Sequence, residues 1–216
     1  MGTILASAII SKCRIVLNDP NAVRWADNEL LGWLNLGQTV LAGIKPDASA
    51  TVASAQLVAG TKQTVPTAAV RPPTLRRNMG ANGSTPGPAI EYVSLDHLDA
   101  FIPNWHTSAT SETVKAYALD ERTPRVFYVY PPQPATPHYV EMSYPTIPAA
   151  LANTSTAISV GDEYEPLLID YILYKAFAKD AEEGNAQRAE MHRAAFFGQL
   201  GVKASSDAAV SNDNQG

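Results

Sequence analysis

Four histidines, His97, His106, His138 and His192, are the natural acid–base candidates of this chain. None stands at metal-ligand spacing from another histidine or from the single cysteine, Cys13. Asp96-His97 with Asp99 close by comes nearest to a base with an orienting carboxylate. Covalent or acid–base chemistry also needs a placed nucleophile, and none can be named, so a polar helix face is the preferred reading. A soluble hydrolase using Asp96, His97 or His106 is the remote alternative. Gly80-x-x-Gly83, followed by Gly87, has the outline of a phosphate loop. It lacks the Gly-Lys-Ser/Thr ending and the strand–turn–helix setting, and so predicts a surface turn. Cys13 lies on an apolar helical face and reads as a small core residue. The expectation is no catalytic residue, no metal and no cofactor.

Contacts to nucleic acid are weighed next. Arg71, Arg76 and Arg77 form the only basic cluster, without interleaved aromatics, in a chain of net charge −5. Gripping DNA requires neutralising phosphates, so ion pairs or solvated side chains are preferred for these three. Phe127, Tyr128, Tyr130, Tyr139 and Tyr144 are aromatic enough to stack bases. On neighbouring strands they read first as cross-strand packing.

These residues must be held by elements legible in the 216-residue sequence. Charged residues make up 17%, below the usual quarter, which leaves surface for partners because interface centres are poor in charge. One cysteine excludes an internal disulfide and fits a reducing compartment. No apolar run is long enough to span a bilayer, and the apolar stretch at 4–10 lacks the basic flank of a signal peptide.

The expected fold class is α+β. Residues 3–18 and 27–44 read as helices forming an N-terminal hairpin, and 161–201 as C-terminal helices completing a bundle. The second helix carries Leu30, Leu31, Trp33, Leu34, Leu36, Val40, Leu41 and Ile44, apolar on more than one side, which predicts burial on more than one side. Trp33, Leu36 and Val40 are the candidate subunit-interface residues. Asp162-x-x-Glu165 has capping-box spacing, with Pro166 as an alternative first helical residue. Gly184-Asn185 predicts a stop and restart, and Gly201 the end of the last helix. The divisions expected are 1–48, N-terminal helices; 49–160, a β-rich, Pro-rich middle; 161–201, C-terminal helices; and 202–216, an extended tail. Within the middle, 56–58, 63–65, 114–119, 126–130 and 139–144 read as strands. A hairpin loop is expected at 120–124 and a long turn-rich loop at 76–88. A short helix at 94–101 is capped by Ser94, with Leu95, Leu98 and Phe101 inward.

The polar tail has too little apolar surface to offset its own ordering entropy, so something outside the chain is expected to hold it.

The order of several segments resembles a known family. Trp25-Ala-Asp-Asn-Glu-Leu-Leu-Gly-Trp-Leu-Asn35 comes first, then Leu57-Val-Ala-Gly-Thr-Lys-Gln63, Arg76-Arg-Asn-Met-Gly80 and Asn104-Trp-His106. Asp120-Glu-Arg-Thr-Pro-Arg-Val-Phe-Tyr-Val-Tyr-Pro-Pro132 follows, then Asp170-Tyr-Ile-Leu-Tyr-Lys-Ala-Phe-Ala-Lys-Asp-Ala181 and Gly184-Asn-Ala-Gln-Arg188. Each has an ordinary structural reading; their joint order is similar to the head-to-tail adaptor (connector) proteins of tailed bacteriophages, above all the short-tailed type. The likeness runs to about Leu200. Where the family pattern has Ser or Thr, this chain has Ala26, so Asp27 is expected to cap the second helix.

The resemblance implies a structural virion protein without catalysis. It implies a dodecameric homo-oligomeric ring between the portal protein and the tail nozzle or tube, close to packaged double-stranded DNA without holding it, and away from any membrane. Assembly would take place in the host cytoplasm. The candidate portal-binding residues are Lys203, Ala204, Ser205, Ser206, Asp207, Ala208, Ala209, Val210, Ser211, Asn212, Asp213, Asn214, Gln215 and Gly216. Another neck, head-completion or tail-tube structural protein is the alternative.

Overall fold

A computed structural model describes residues 2–120, 122–180 and 184–213, with side chains as far as Gly201. The chain divides into two compact units, residues 1–49 with 147–216, and residues 50–146.

The first unit is helical. It contains α1 (Ala6–Val16), α2 (Asp27–Ile44), α4 (Glu165–Lys179) and α5 (Asn185–Asp213). The sequence produces α4 through near-continuous apolar residues, and Leu167, Leu168, Tyr171, Ile172, Leu173, Ala176 and Phe177 are all buried. That coverage lets α4 pack against α1, α2 and α5 at once. Gly37 of α2 is required where α2 crosses α4, because a Cβ there would lie 3.0 Å from Cδ1 of Tyr171.

Two helix starts differ from expectation. Ala26 occupies the cap of α2 and makes no side-chain cap; Asp27 is already helical. Its carboxylate instead accepts a 2.6 Å bond from Nη2 of Arg14. Asp162 does not cap α4 either. It accepts from the Thr3 hydroxyl at 2.6 Å and from the N–H groups of Thr3 and Ile4 at 2.7 and 3.1 Å, tying down the start of the chain. In both cases a long-range donor competes successfully for the carboxylate.

The expected extended tail is overturned as far as Asp213. Helix α5 does not stop at Gly201 but continues through it to Asp213. Glycine inside a helix costs about 1 kcal/mol relative to alanine, which lowers helix stability without breaking the helix. Ala204, Ala208 and Ala209 beyond it are good helix formers. Residues 214–216, named in the portal-binding set, lie outside the described residues.

The second unit holds β1 (Ala50–Gln56), β2 (Gly60–Thr64), β3 (Thr74–Asn78), β4 (Glu91–Tyr92), α3 (Leu95–Phe101), β5 (Ala116–Leu119), β6 (Val126–Gln133) and β7 (Tyr139–Pro145). One sheet has the order β1-β7-β3 and the other β2-β6-β5-β4. All ladders are antiparallel except the short β4–β5 pair. The core includes Leu75, Val114, Phe127, Val129, Val140 and Met142. A satellite cluster of Leu98, Trp105 and Ala118 lies under α3.

β5 and β6 form the expected hairpin across 120–125. Strand β3 takes up residues 76–78 of the loop expected at 76–88. A register shift between Leu75 and Arg77 breaks the alternation by which a strand is recognised. Ser94 caps α3, accepting from the His97 N–H at 3.2 Å, and Leu98 is buried. Phe101 is 73% exposed rather than inward.

Candidate functional site

Of the acid–base candidates, Asp99 and His106 have internal hydrogen-bond partners. Asp99 accepts a 2.8 Å bond from the indole N–H of Trp105, and the His97 ring lies against Phe101 at 4.5 Å. His106 stacks on Trp105 at 3.6 Å, with Nδ1 2.8 Å from the Thr61 hydroxyl. Asp96 and Asp99 line an open depression of about 520 Å³, together with Tyr92, Ser94, Asp120 and Arg122. His97 and His106 are not part of that lining. Among the described residues, no group of three or more His, Cys, Asp or Glu could hold a metal. Cys13 is buried, and desolvation pushes its thiol up to about 12, leaving it without thiolate character near neutrality.

The Gly80–Gly83 segment is a turn in which both glycines have positive φ, 65° and 75°. A Cβ on Gly83 would also lie 2.9 Å from Cδ1 of Tyr139. Arg71, Arg76 and Arg77 are exposed, with Arg77 at 3.9 Å from Glu141 on the neighbouring strand. Phe127 is buried in the core, while Tyr128 and Tyr130 pack against the cluster under α3 and Tyr144 against the main β core. Tyr139 is half-buried beside Gly83.

The more informative surfaces are on α2 and α5. Trp33 and Val40 are half-buried and packed on the helical core, with Trp33 edge-on to Trp25 at 5.4 Å. Leu36 faces outward, 43% exposed. Gly32, Leu36, Thr39 and Gly43 form one exposed stripe at helical spacing, and a Cβ on either glycine would meet nothing within 4 Å. From Leu30 to Ile44 the helix carries no charge at all. Exposed helix faces ordinarily carry charged or polar residues. Sequence reading singled out Leu36 for its hydrophobicity but missed the flanking glycines, although their spacing from Leu36 was legible.

Helix α5 enters the core through Ala189, Phe196 and Leu200. It is fastened to α4 by His192, whose Nδ1 lies 2.8 Å from Asp170, and by Gln199, which donates to the same carboxylate at 3.1 Å. The residues beyond Leu200 continue the helix by about 20 Å at 1.5 Å per residue. This helix therefore combines an anchored half with a long extension.

Loop 17–26 before α2 is held by a buried cation that sequence reading did not identify. Arg14 donates to the carbonyls of Asp19 and Trp25 at 3.2 and 2.8 Å and to both Asp19 and Asp27 carboxylates. Asp19 also accepts from the N–H groups of Trp25, Val23 and Arg24. Those backbone donors, that of Trp25 foremost, hold its carboxyl below the usual carboxylate range.

Anchored helices and an uncharged outer stripe fit a structural, partner-binding protein. The model of the SU10 adaptor protein family matches residues 5–215, and the chain belongs to that family. It is a bacteriophage structural adaptor, a protein of the virion. A search of curated proteins finds no match. No helix among the described residues is long and apolar enough to cross a membrane.

Proposed function

We propose that this adaptor forms a closed ring, a dodecamer, between the portal protein and the tail nozzle or tube of a short-tailed phage. DNA leaves through its centre. The observation that carries the ring is the exposed, charge-free stripe of α2. Two glycines in helix interior are unfavourable by about 1 kcal/mol each relative to alanine, and nothing among the described residues requires them. They leave room for a neighbouring copy to approach Leu36 closely, with Trp33 and Val40 at the margin. In a ring, one face of each subunit meets a different face of the next.

The end of α5, from Lys203 through Asp213 and on to Gly216, is the proposed portal-docking arm. Because the arm is helical to Asp213, it docks as a helix in a groove rather than by adding a strand. All net charge lies in the helical unit, which has nine basic against fourteen acidic residues. An acidic wall repels phosphates and lets DNA slide. Arg71, Arg76 and Arg77 are accordingly expected away from the channel.

A portal pull-down with the chain ending at Val202 tests the arm. The truncated chain is expected to lose at least tenfold in portal binding while its helical signal remains. Undiminished binding contradicts the arm.

A further inference from the structure

The four sheet edges of the second unit are not alike. Strand β2 carries Lys62 and a register shift between Gly60 and Lys62. Strand β3 carries Arg76 and Arg77, follows Pro72-Pro73 and contains its own register shift. Its outer side is already bridged by 88–90, with Asn78 N–H donating to Pro88 at 2.9 Å and Ile90 N–H to Arg76 at 3.1 Å. Strand β4 is only Glu91–Tyr92. Charge, bulges, shortness and cover are the devices by which proteins keep edges from pairing with other chains.

Strand β1 has none of them. It is Ala-Thr-Val-Ala-Ser-Ala-Gln, without charge or proline, and its register against β7 is unbroken from Ala50↔Pro145 to Gln56↔Tyr139. It is mostly exposed, with Val52 at 57%, and no strand pairs with its outer side among the described residues. Just beyond the ladder, Leu57 N–H donates to His138 at 3.2 Å. Alternation from that bond turns the N–H and C=O groups of Val52, Ser54 and Gln56 away from β7, toward the open edge.

We infer that β1 is an augmentation edge, and that its occupant is an extended segment of a second copy of this chain. Charge selects that occupant. Residues 50–146 contain seven basic and seven acidic residues, so this unit is neutral, whereas the helical unit holds the entire −5. Two copies approach through their neutral units without the like-charge repulsion that the helical units impose outside the uncharged stripe of α2. The edge itself is uncharged from Ala48 to Thr61, and so presents nothing against an identical neutral chain. Main-chain hydrogen bonds supply the adhesion, as in other strand additions.

This contact is separate from the stripe of α2 and from the portal arm, and it needs neither. Hydrogen exchange resolved to single amides, on the full chain alone at low and high concentration, reads it directly. The amides of Val52, Ser54 and Gln56 are expected to exchange freely in the dilute chain and to become protected on self-association. Val52→Lys is expected to weaken self-association at least tenfold with melting temperature and portal binding unchanged; Leu36→Asp is expected to leave the β1 protection intact. The inference is overturned by absence of self-association at any concentration, by self-association without protection at β1, or by unchanged association of Val52→Lys. Protection that appears only when a different virion protein is added also overturns it, and assigns the edge to that protein's strand. Failure of the arm truncation to affect portal binding bears on the arm alone.

Discussion

The two units share amide clamps but differ in their buried charges: among the described residues these lie in the helical unit, as Arg14 and Asp19. The helical unit uses ions alongside amides: Arg14 is 8% exposed and clamps 17–27, Asp162 holds residues 3 and 4, and Asn35 bonds both the N–H and the carbonyl of Leu151 at 2.8 and 3.1 Å. The β unit buries amides for this purpose and adds a partly exposed cation, Arg125, which donates to the Ala69 and Pro66 carbonyls at 2.7 and 3.2 Å. Asn78, 5% exposed, bonds both the N–H and the carbonyl of Val114 at 2.8 Å and the Pro88 carbonyl at 3.0 Å. Gln63 closes 58–60, and Gln133 holds the Ser111 carbonyl at 3.0 Å. A buried amide satisfies backbone groups with no charge to desolvate, whereas a buried cation needs its carboxylates. The contrast mirrors net charge, −5 in one unit and zero in the other, and divides the tasks proposed for them. In that proposal the acidic unit meets DNA, the portal and, through the uncharged stripe of α2, a neighbouring copy, while the neutral unit adds a second contact between copies at β1.

The largest effect is expected in the helical core. Leu168 is fully buried on α4, and Leu168→Ala should destabilise by about 3 kcal/mol through lost transfer energy and the cavity left behind. Urea unfolding followed by Trp25 and Trp33, which both belong to this unit, measures it. Next comes the β unit's amide. Asn78→Ala strands the Val114 N–H and carbonyl groups and should lose about 2 kcal/mol, read by Trp105 fluorescence. If both variants shift both sets of probes equally, the units do not differ in the way described.

Acid separates the ionic from the neutral device. The Thr3 hydroxyl, with the Thr3 and Ile4 N–H groups, holds Asp162 below the ordinary value of 3.8, and backbone donors do the same for Asp19. A depressed folded value means that the unfolded chain takes up protons first. The stability these carboxylates give is therefore present above the ordinary value and is lost as pH falls through the lower folded values. Asp120, held by the Thr123 hydroxyl, is the counterpart in the β unit, but it secures only an exposed hairpin loop. Between pH 5 and pH 2 the urea midpoint should fall more for the helical probes than for Trp105. Asp162→Asn should show a smaller drop than the unaltered chain.

The smallest stability effect is at the surface. Leu36→Ser should change folding stability by no more than about 0.5 kcal/mol, since Leu36 is outward-facing, yet it should reduce ring formation measured by light scattering in the presence of portal. A ring that forms undiminished removes α2 from the subunit contact.

How much was legible follows the range of the interactions. The extent of helix α2, though not its cap, is readable because its apolar spacing and Pro46 are local signals. The hairpin at 120–125 and the Ser94 cap were local too. Residues decided by distant partners were misread. Asp27 and Asp162 look like caps until Arg14 and Thr3 are brought to them. Phe101 follows the inward spacing of Leu98 yet lies in solvent. Strand β3 hides behind its bulge, and the helix through Gly201 depends on residues too polar to announce a core-facing pattern. The candidate surfaces were half visible: Leu36 stood out, but the open edge of β1 emerges only once the other three edges are seen to be guarded.

Single-particle cryo-EM of this chain assembled with its portal tests the central claim most directly. The account predicts a closed ring of adaptor subunits on the portal, the end of α5 seated in it as a helix and α2 turned toward a neighbouring copy. A ring that binds the portal through another element, with α5 and α2 both facing solvent, contradicts it.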